Sequence, residues 1–302
     1  LRNLLPDLKL EFPFLKSVHS SPLKNSALRL SDSIRDFQDS RKGKRKGKPT
    51  GWPSFKSFRR KFFSLYYDEP KKGFKISGDN ITLSLGVDDK GKRIKISGKL
   101  SKKVSAFKNV AIKNLRITKE GRRYFAVFSV EKNTPSQKKI KKICAIDPNH
   151  KNLGYVVGSD GSSIEIANAY FLKSLGKRID QIKSRRDKCL KKSKKLELPN
   201  GKTIHLPSKR WIKFESIFQK LQQKRRDQTK TFLHTISNKL YKKYDLVGIG
   251  DYTPKGGGVS KGMRRSMNNE SLIGRFKETL SWTAQKKGKH FAIWDEKGST
   301  RT

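Results

Sequence analysis

The chain has 302 residues, with 72 Lys and Arg against 26 Asp and Glu, a formal charge of +46. Net charges of small soluble domains stay within a magnitude of about 8, so a surface this positive repels itself and requires a polyanionic partner, nucleic acid first. Hydrophobic content of 33%, gathered in clusters, excludes a disordered basic tail, and no apolar run approaches the ~18 residues of a membrane span. Leu1-Arg2-Asn3-Leu4-Leu5-Pro6 lacks signal-peptide architecture, so a soluble protein that is not secreted is expected. The two cysteines, Cys144 and Cys189, are too few for a disulfide framework or a cysteine zinc site within the chain, and both read as small core residues. The first methionine is Met263, which sets the expectation of a portion of a longer polypeptide.

Residues 1 to about 65 read as helical and basic. Leu23, Ala27, Leu28, Leu30, Ile34 and Phe37 recur at helical spacing, and Arg41 to Lys48 then places six cations in eight residues, among them Lys42, Lys44, Arg45 and Lys46. That run is either a solvated linker or, favoured in a chain of this charge, a phosphate contact or nuclear-localisation patch. From Phe55 to Phe63 four phenylalanines interleave with four cations, including Lys56, Arg59 and Arg60. Rings stacking on bases with cations along phosphates explain the pattern, and a Phe-lined helix explains it about as well.

Residues 66 to 133 alternate in short runs, Phe74–Ile76, Asn80–Leu85, Ile94–Ile96, Val110–Ile117 and Arg123–Val130, separated by Gly78-Asp79, Asp89-Lys90-Gly91 and Glu120-Gly121. A small antiparallel β-barrel or curled sheet of five or six strands is expected, with the boundary to the next domain between Thr134 and Lys142.

From Ile143 the pattern becomes mixed. Ile143–Asp147 reads as a buried strand ending in a carboxylate, followed by strands at Leu153–Val157 and Ser163–Ala167. A helix over 172–195 carries Leu175, Ile179, Ile182, Cys189 and Leu190 on one stripe, with ten cations from Lys177 to Lys195. A hairpin-like insert around Pro199-Asn200-Gly201 precedes a long helix from about Ser208 to Lys243. A buried strand Asp245–Asp251, a glycine-rich loop, a helix from about Glu270 to Lys287 and a strand His290–Asp295 complete the chain.

With so few acids, a carboxylate at the end of an apolar strand stands out. Asp147 follows four apolar residues, and Asp251 holds the equivalent place after Leu246 to Gly250. Two parallel strand ends bringing carboxylates together would make an oxygen-ligand site for hard divalent cations, and two Mg²⁺ ions about 4 Å apart would serve phosphodiester hydrolysis. The alternative is that Asp147 caps a turn through Asp147-Pro148-Asn149.

Ala145-Ile146-Asp147-Pro148-Asn149-His150-Lys151-Asn152-Leu153-Gly154 resembles the first RuvC motif of TnpB, the transposon-encoded RNA-guided nuclease related to type V CRISPR effectors. Lys224-Arg225-Arg226-Asp227, with Phe232-Leu233-His234 and Tyr244-Asp245-Leu246-Val247, resembles the helix and strand leading to the second RuvC motif. Ser271 to Leu280, including Arg275, is similar to the helix after it. Gly121 to Val127 resembles the last strand of the wedge barrel, and Trp52-Pro53-Ser54-Phe55-Lys56 the helical recognition region. The succession covers nearly the whole chain in order. Gly250 stands where the family carries a glutamate, and Glu270 resembles the displaced glutamate of Fanzor proteins and some TnpB relatives. As a helix-capping acid favoured by the dipole, Glu270 has an alternative reading.

The resemblance implies an α+β multidomain chain: a basic helical recognition region at 1–65, a wedge β-barrel at 66–140 and a RuvC/RNase H-like nuclease domain at 141–302 with a helical insertion at about 172–243. It implies an RNA-guided DNA endonuclease with Asp147 and Glu270 as catalytic metal ligands and Asp251 as a further one. The implied cofactor is Mg²⁺, while zinc and a third carboxylate belong to family segments not found in this chain. Guide RNA and target double-stranded DNA are the implied partners, with no membrane role. Phosphate contacts would come from Lys42, Lys44, Arg45, Lys46, Lys56, Arg59, Arg60, Lys183, Arg185, Arg186, Lys224, Arg225, Arg226 and Arg275. The compartment would be the nucleus in a eukaryotic or viral setting and otherwise the bacterial cytoplasm. A nuclease-dead RNA-guided DNA binder and a protein-only structure-specific nuclease are the competing readings.

Overall fold

The computed structural model describes residues 2–45, 47–54, 63–101, 110–120, 123–149, 151–198, 201, 203–252, 260 and 271–295. The chain divides into two compact units, Leu1–Lys132 and Asn133–Thr302.

In the first unit, helix α1 (Leu5–Glu11) begins with Pro6 in its first turn, where a missing N–H costs nothing. Helix α2 (Ser20–Arg41) is capped by His19, whose Nδ1 accepts from the Ser21 N–H at 3.2 Å. Leu23, Ala27, Ile34 and Phe37 are half-buried on its inner stripe, whereas Leu28 and Leu30 are exposed. The helix stops at Gly43, whose φ of 68° lies in the left-handed region.

The strands of this unit are β1 (Ser64–Tyr67), β2 (Phe74–Ser77), β3 (Asn80–Val87), β4 (Arg93–Lys99), β5 (Ile112–Glu120) and β6 (Arg123–Val130). Five or six strands were expected in one small barrel or curled sheet. Among the described residues they instead form two separate three-stranded antiparallel sheets, β1-β5-β6 and β2-β3-β4. The physical reason lies in pairing range. Tight turns keep β2, β3 and β4 as a local meander, while β1 reaches past them to pair with β5, Tyr67 opposite Leu115. Tyr67, Phe74, Ile81, Leu115 and Ile117 form the buried apolar cluster of this unit, and β4 lies exposed along its whole length. Strand β1 also starts inside the stretch read as helical.

The second unit contains β7 (Ile143–Asp147), β8 (Gly154–Gly158), β9 (Ser163–Ile166), α3 (Phe171–Lys191), the hairpin β10 (Lys195–Glu197) and β11 (Thr203–His205), α4 (Lys209–Lys243), β12 (Leu246–Gly250), α5 (Ile273–Lys287) and β13 (His290–Trp294). The five-stranded sheet has the order β13-β12-β7-β8-β9. β7, β8 and β9 form an antiparallel meander, and β7, β12 and β13 run parallel. Parallel neighbours need a crossover, and here α3, the hairpin and α4 supply one and α5 the other.

One sheet face packs on the helices: Cys144, Ile146, Val156, Val247 and Ile249 join Leu233, Leu240, Tyr241, Phe276 and Leu280 in the largest core. Burial there pushes the Cys144 thiol up to about 12, which fits an inert core residue. β12 is buried almost throughout, as expected. β7 is not: its exposure alternates, with Cys144 and Ile146 buried and Ile143, Ala145 and Asp147 exposed. On that second face Ile143, Tyr155 and Val157 are 43%, 47% and 52% exposed. The long helix α4 is held at its start by the Ser208 side chain, which accepts from the Trp211 N–H at 3.2 Å, and α3 packs on it through Leu175, Ile179 and Leu221.

Candidate active site

The ends of β7 and β12 bring two carboxylates to one edge. In the parallel register Leu246 lies beside Ile143 and Ile249 beside Ile146. One step further, Asp147 closes β7 next to Gly250, and Asp251 follows at once. The same edge receives β13, with Gly250 beside Trp294, and the Asp251 N–H donates to the Trp294 carbonyl at 2.8 Å. Asp147, Asp251 and Asp295 thus follow three neighbouring parallel strands at their carboxyl ends, and all three are exposed. Among the described residues no three acidic, His or Cys side chains gather closely enough to hold a metal. Glu270 and His150 lie outside the described residues.

Small residues support this edge. A Cβ on Gly248 would stand 2.6 Å from Cζ3 of Trp294, so the glycine makes room for the indole packed beside the β12–β13 pair. Gly154 similarly lets β8 approach Asp147, since a Cβ there would sit 3.2 Å from the Asp147 carbonyl oxygen. The loop leaving Asp147 is fixed by Pro148, which is buried, and by Asn149, whose Oδ1 accepts from the Lys151 N–H at 2.8 Å. Gly248 and Trp294 were not singled out from the sequence. Their only signal is a glycine, paired with Ala292, that falls diagonally across from Trp294 once β12 and β13 are paired.

Further from the edge, two acids serve the fold. Asp245 Oδ2 accepts from the N–H groups of Lys141 and Lys142, both at 3.2 Å, and Oδ1 pairs with Lys289 at 3.2 Å. The Lys142 N–H, then the Lys289 ammonium, holds its carboxyl below the usual range. Asp160, in the β8–β9 turn, pairs with Lys243 at 2.8 Å and accepts from the Ser162 hydroxyl at 2.7 Å. The Lys243 hydrogen bond, then that of Ser162, depresses its pKa strongly.

The expected phosphate contacts fall into several settings. Lys42 caps the end of α2 and Lys44 is exposed, while Arg45 pairs with Asp36 at 3.1 Å. Lys46, Lys56, Arg59 and Arg60 lie outside the described residues. Lys183 and Arg185 are exposed on α3, Lys224 and Arg226 on α4, and Arg275 on α5; Arg225 is half-buried. Arg186 is committed within the protein. Its guanidinium bonds Asp187 at 2.7 Å and Glu215 at 2.9 Å and lies 4.6 Å from the Phe218 ring centroid, at only 17% exposure.

Residues 127–255 match the OrfB_IS605 family, described as probable transposase. In fold the chain is similar to a Cas12f1 structure determined by cryo-EM as a complex with sgRNA and target DNA. The TM-score is 0.53 at 14% identity, over 94% of this chain and 62% of that one. A CRISPR-Cas12f ternary complex aligns at a TM-score of 0.29 and 12% identity, over 94% and 63%, and bears no weight. This chain therefore spans less than two thirds of the length of both. No curated protein matches it. Among the described residues no helix is long and apolar enough to cross a membrane. The segment that matches the probable-transposase family, residues 127–255, is the one that holds Asp147 and Asp251.

Proposed function

We propose that the chain is the core of an RNA-guided DNA endonuclease of a transposable element, with its cutting site at the carboxyl ends of β7 and β12. The observation that carries this reading is the placement of Asp147 and Asp251 at adjacent parallel strand ends inside the family-matched segment. A meander of three strands extended by two parallel ones is the sheet order of RNase H-like nucleases, which supports a RuvC-like assignment for this unit. The similarity in fold to a protein captured with guide and target supports guide RNA and double-stranded DNA as partners, and the charge of +46 suits holding two polyanions at once.

The donor set fits a hard divalent cation, because Asp147 and Asp251 offer only oxygen and open to solvent. Asp147 and Asp251, with Glu270 from the segment before α5, would hold Mg²⁺. Bound there, the metal would lower the pKa of water and offset charge on the leaving oxygen. The chain's own contribution is positional. Paired strands fix Asp147, the Asn149 turn fixes the loop beyond it, and the field of the surrounding lysines concentrates the nucleic acid. A second reading, an RNA-guided DNA binder without cutting activity, is favoured by Gly250 at the position where the resemblance expects a glutamate.

Purified protein–RNA complex on a matched DNA target tests both. Asp147→Ala and Glu270→Ala are expected to abolish Mg²⁺-dependent cutting, a loss of at least about 10³-fold given the weight of a metal ligand, with RNA binding retained. Cutting that survives in Glu270→Ala would remove that residue from the site. An inert wild-type complex that still binds target would establish the second reading.

A further inference from the structure

The five-stranded sheet ends at β13, and among the described residues nothing pairs with that strand on its outer side. The register fixes which groups are open. The His290 N–H donates to the Asp245 carbonyl at 2.9 Å, and the Trp294 carbonyl accepts from the Asp251 N–H at 2.8 Å. Every second residue of a parallel strand bonds to the same neighbour. His290, Ala292 and Trp294 therefore face β12, and the N–H and C=O groups of Phe291 and Ile293 point outward. Soluble proteins blunt such an edge with charge, proline or a bulge. β4 does so with Arg93, Lys95 and Lys99, and β9, the opposite edge of the same sheet, carries Glu165. β13 reads His290-Phe291-Ala292-Ile293-Trp294, without lysine, arginine, acid or proline, in a chain that has 72 cations.

The second observation is a groove of about 410 Å³ along this edge, between Phe291 and Ile293 and the α5 residues Lys277, Glu278, Trp282 and Gln285. Trp282 and Ile293 are 54% and 55% exposed. The indole is nevertheless held: it stands edge to face with the His234 ring at 5.7 Å, and the Lys286 ammonium lies 5.2 Å from its centroid. A large aromatic side chain kept rigid in contact with water is the type that anchors protein interfaces.

We propose that β13 is a docking edge for an extended acidic segment of another protein, which pairs with Phe291 and Ile293 as a sixth strand and lays an apolar side chain against Trp282. Alternating N–H and C=O groups match a polypeptide strand, whereas a phosphate backbone offers acceptors alone. A second copy of the chain would bring its own charge of +46 against this one. An acidic segment is instead drawn in by Lys277 and Lys286, which flank the groove and outnumber Glu278. The docking edge is independent of whether the chain cuts DNA.

The probe is a fluorescein-labelled peptide of alternating glutamate and valine, read by fluorescence anisotropy and by amide exchange with the full chain. The wild type is expected to bind it, and the same peptide N-methylated at every amide, which keeps charge and side chains but cannot donate to the ladder, to bind at least about tenfold more weakly. Bound peptide is expected to slow amide exchange at Phe291 and Ile293, which general attraction to a cationic surface leaves unchanged. Ile293→Pro removes an outward N–H that no fold bond uses, and Trp282→Ala removes the exposed ring without touching the strand; each is expected to weaken binding about tenfold. Unchanged exchange at the two amides, or wild-type affinity in Trp282→Ala and Ile293→Pro, would overturn the site. Equal binding of the methylated peptide would overturn strand addition. A wild type that sediments as a dimer, and as a monomer once Ile293→Pro is made, would give the edge to a second copy and overturn the acidic partner.

Discussion

Arg186 lies in the same basic stretch of α3 as Lys183 and Arg185, but its guanidinium is turned onto α4, between Glu215 and the Phe218 ring. The planar fork suits this place, bonding carboxylates along its edge and stacking by its face. Glu215 is only 12% exposed, so Arg186→Ala withdraws the Arg186 cation from a largely buried carboxylate that also accepts from the Gln219 amide at 2.8 Å. For a fully buried pair that step costs about 3–5 kcal/mol; with both side chains in partial contact with water, about 2 kcal/mol is expected, read as a lower urea midpoint. Arg186→Met/Glu215→Leu should cost less than Arg186→Ala alone, because it removes the largely buried carboxylate as well. A cost near that of an exposed surface pair, about 0.5 kcal/mol, would show that the bridge carries no load. Asp147 is the opposite case: it closes β7, paired through its backbone with Tyr155, and stays exposed.

The β12–β13 pair depends on Gly248 as much as on its apolar residues. Gly248→Ala drives a methyl group into the Trp294 indole, and overpacking of this kind costs about 1–3 kcal/mol. Gly248→Ala/Trp294→Ala should recover part of that loss, and a strictly additive double-mutant cycle would refute the contact. This pairing also marks the limit of what the sequence discloses. The order of elements from Ile143 to Trp294 was legible because apolar runs and turn residues are local signals, and so were the carboxylates closing β7 and β12. Which strands share a sheet is not local. β2, β3 and β4 follow one another and were read as neighbours, yet β1 pairs with β5 some fifty residues away and separates what had looked like one barrel. The alternation within β7 was missed because Ile143 and Ala145 are apolar on an exposed face.

At the scale of the whole molecule, 26 acids restrain 72 cations, and two of those acids tie distant segments together: Asp160 to the end of α4 and Asp245 to the segment before β7. Both carboxyls are depressed in the folded chain. Their contribution is therefore complete above the unfolded carboxylate pKa of about 3.9 and is lost as pH falls from there through the folded values. The melting temperature should drop steeply below about pH 4, as self-repulsion rises at the same time, and Asp160→Asn and Asp245→Asn should flatten the drop while lowering the plateau at neutral pH. An unchanged profile in both variants would mean that other acids govern it. The topology of the sheet also has a consequence in time. Asp147 and Asp251 belong to strands about a hundred residues apart, and such a pairing is slow because a long loop must close first. A ribosome presents β7, β8 and β9 well before β12 exists, and until β12 docks against β7, Asp147 stands alone. A half-made chain therefore already has many of the lysines that hold nucleic acid but not the paired carboxylates proposed to cut it.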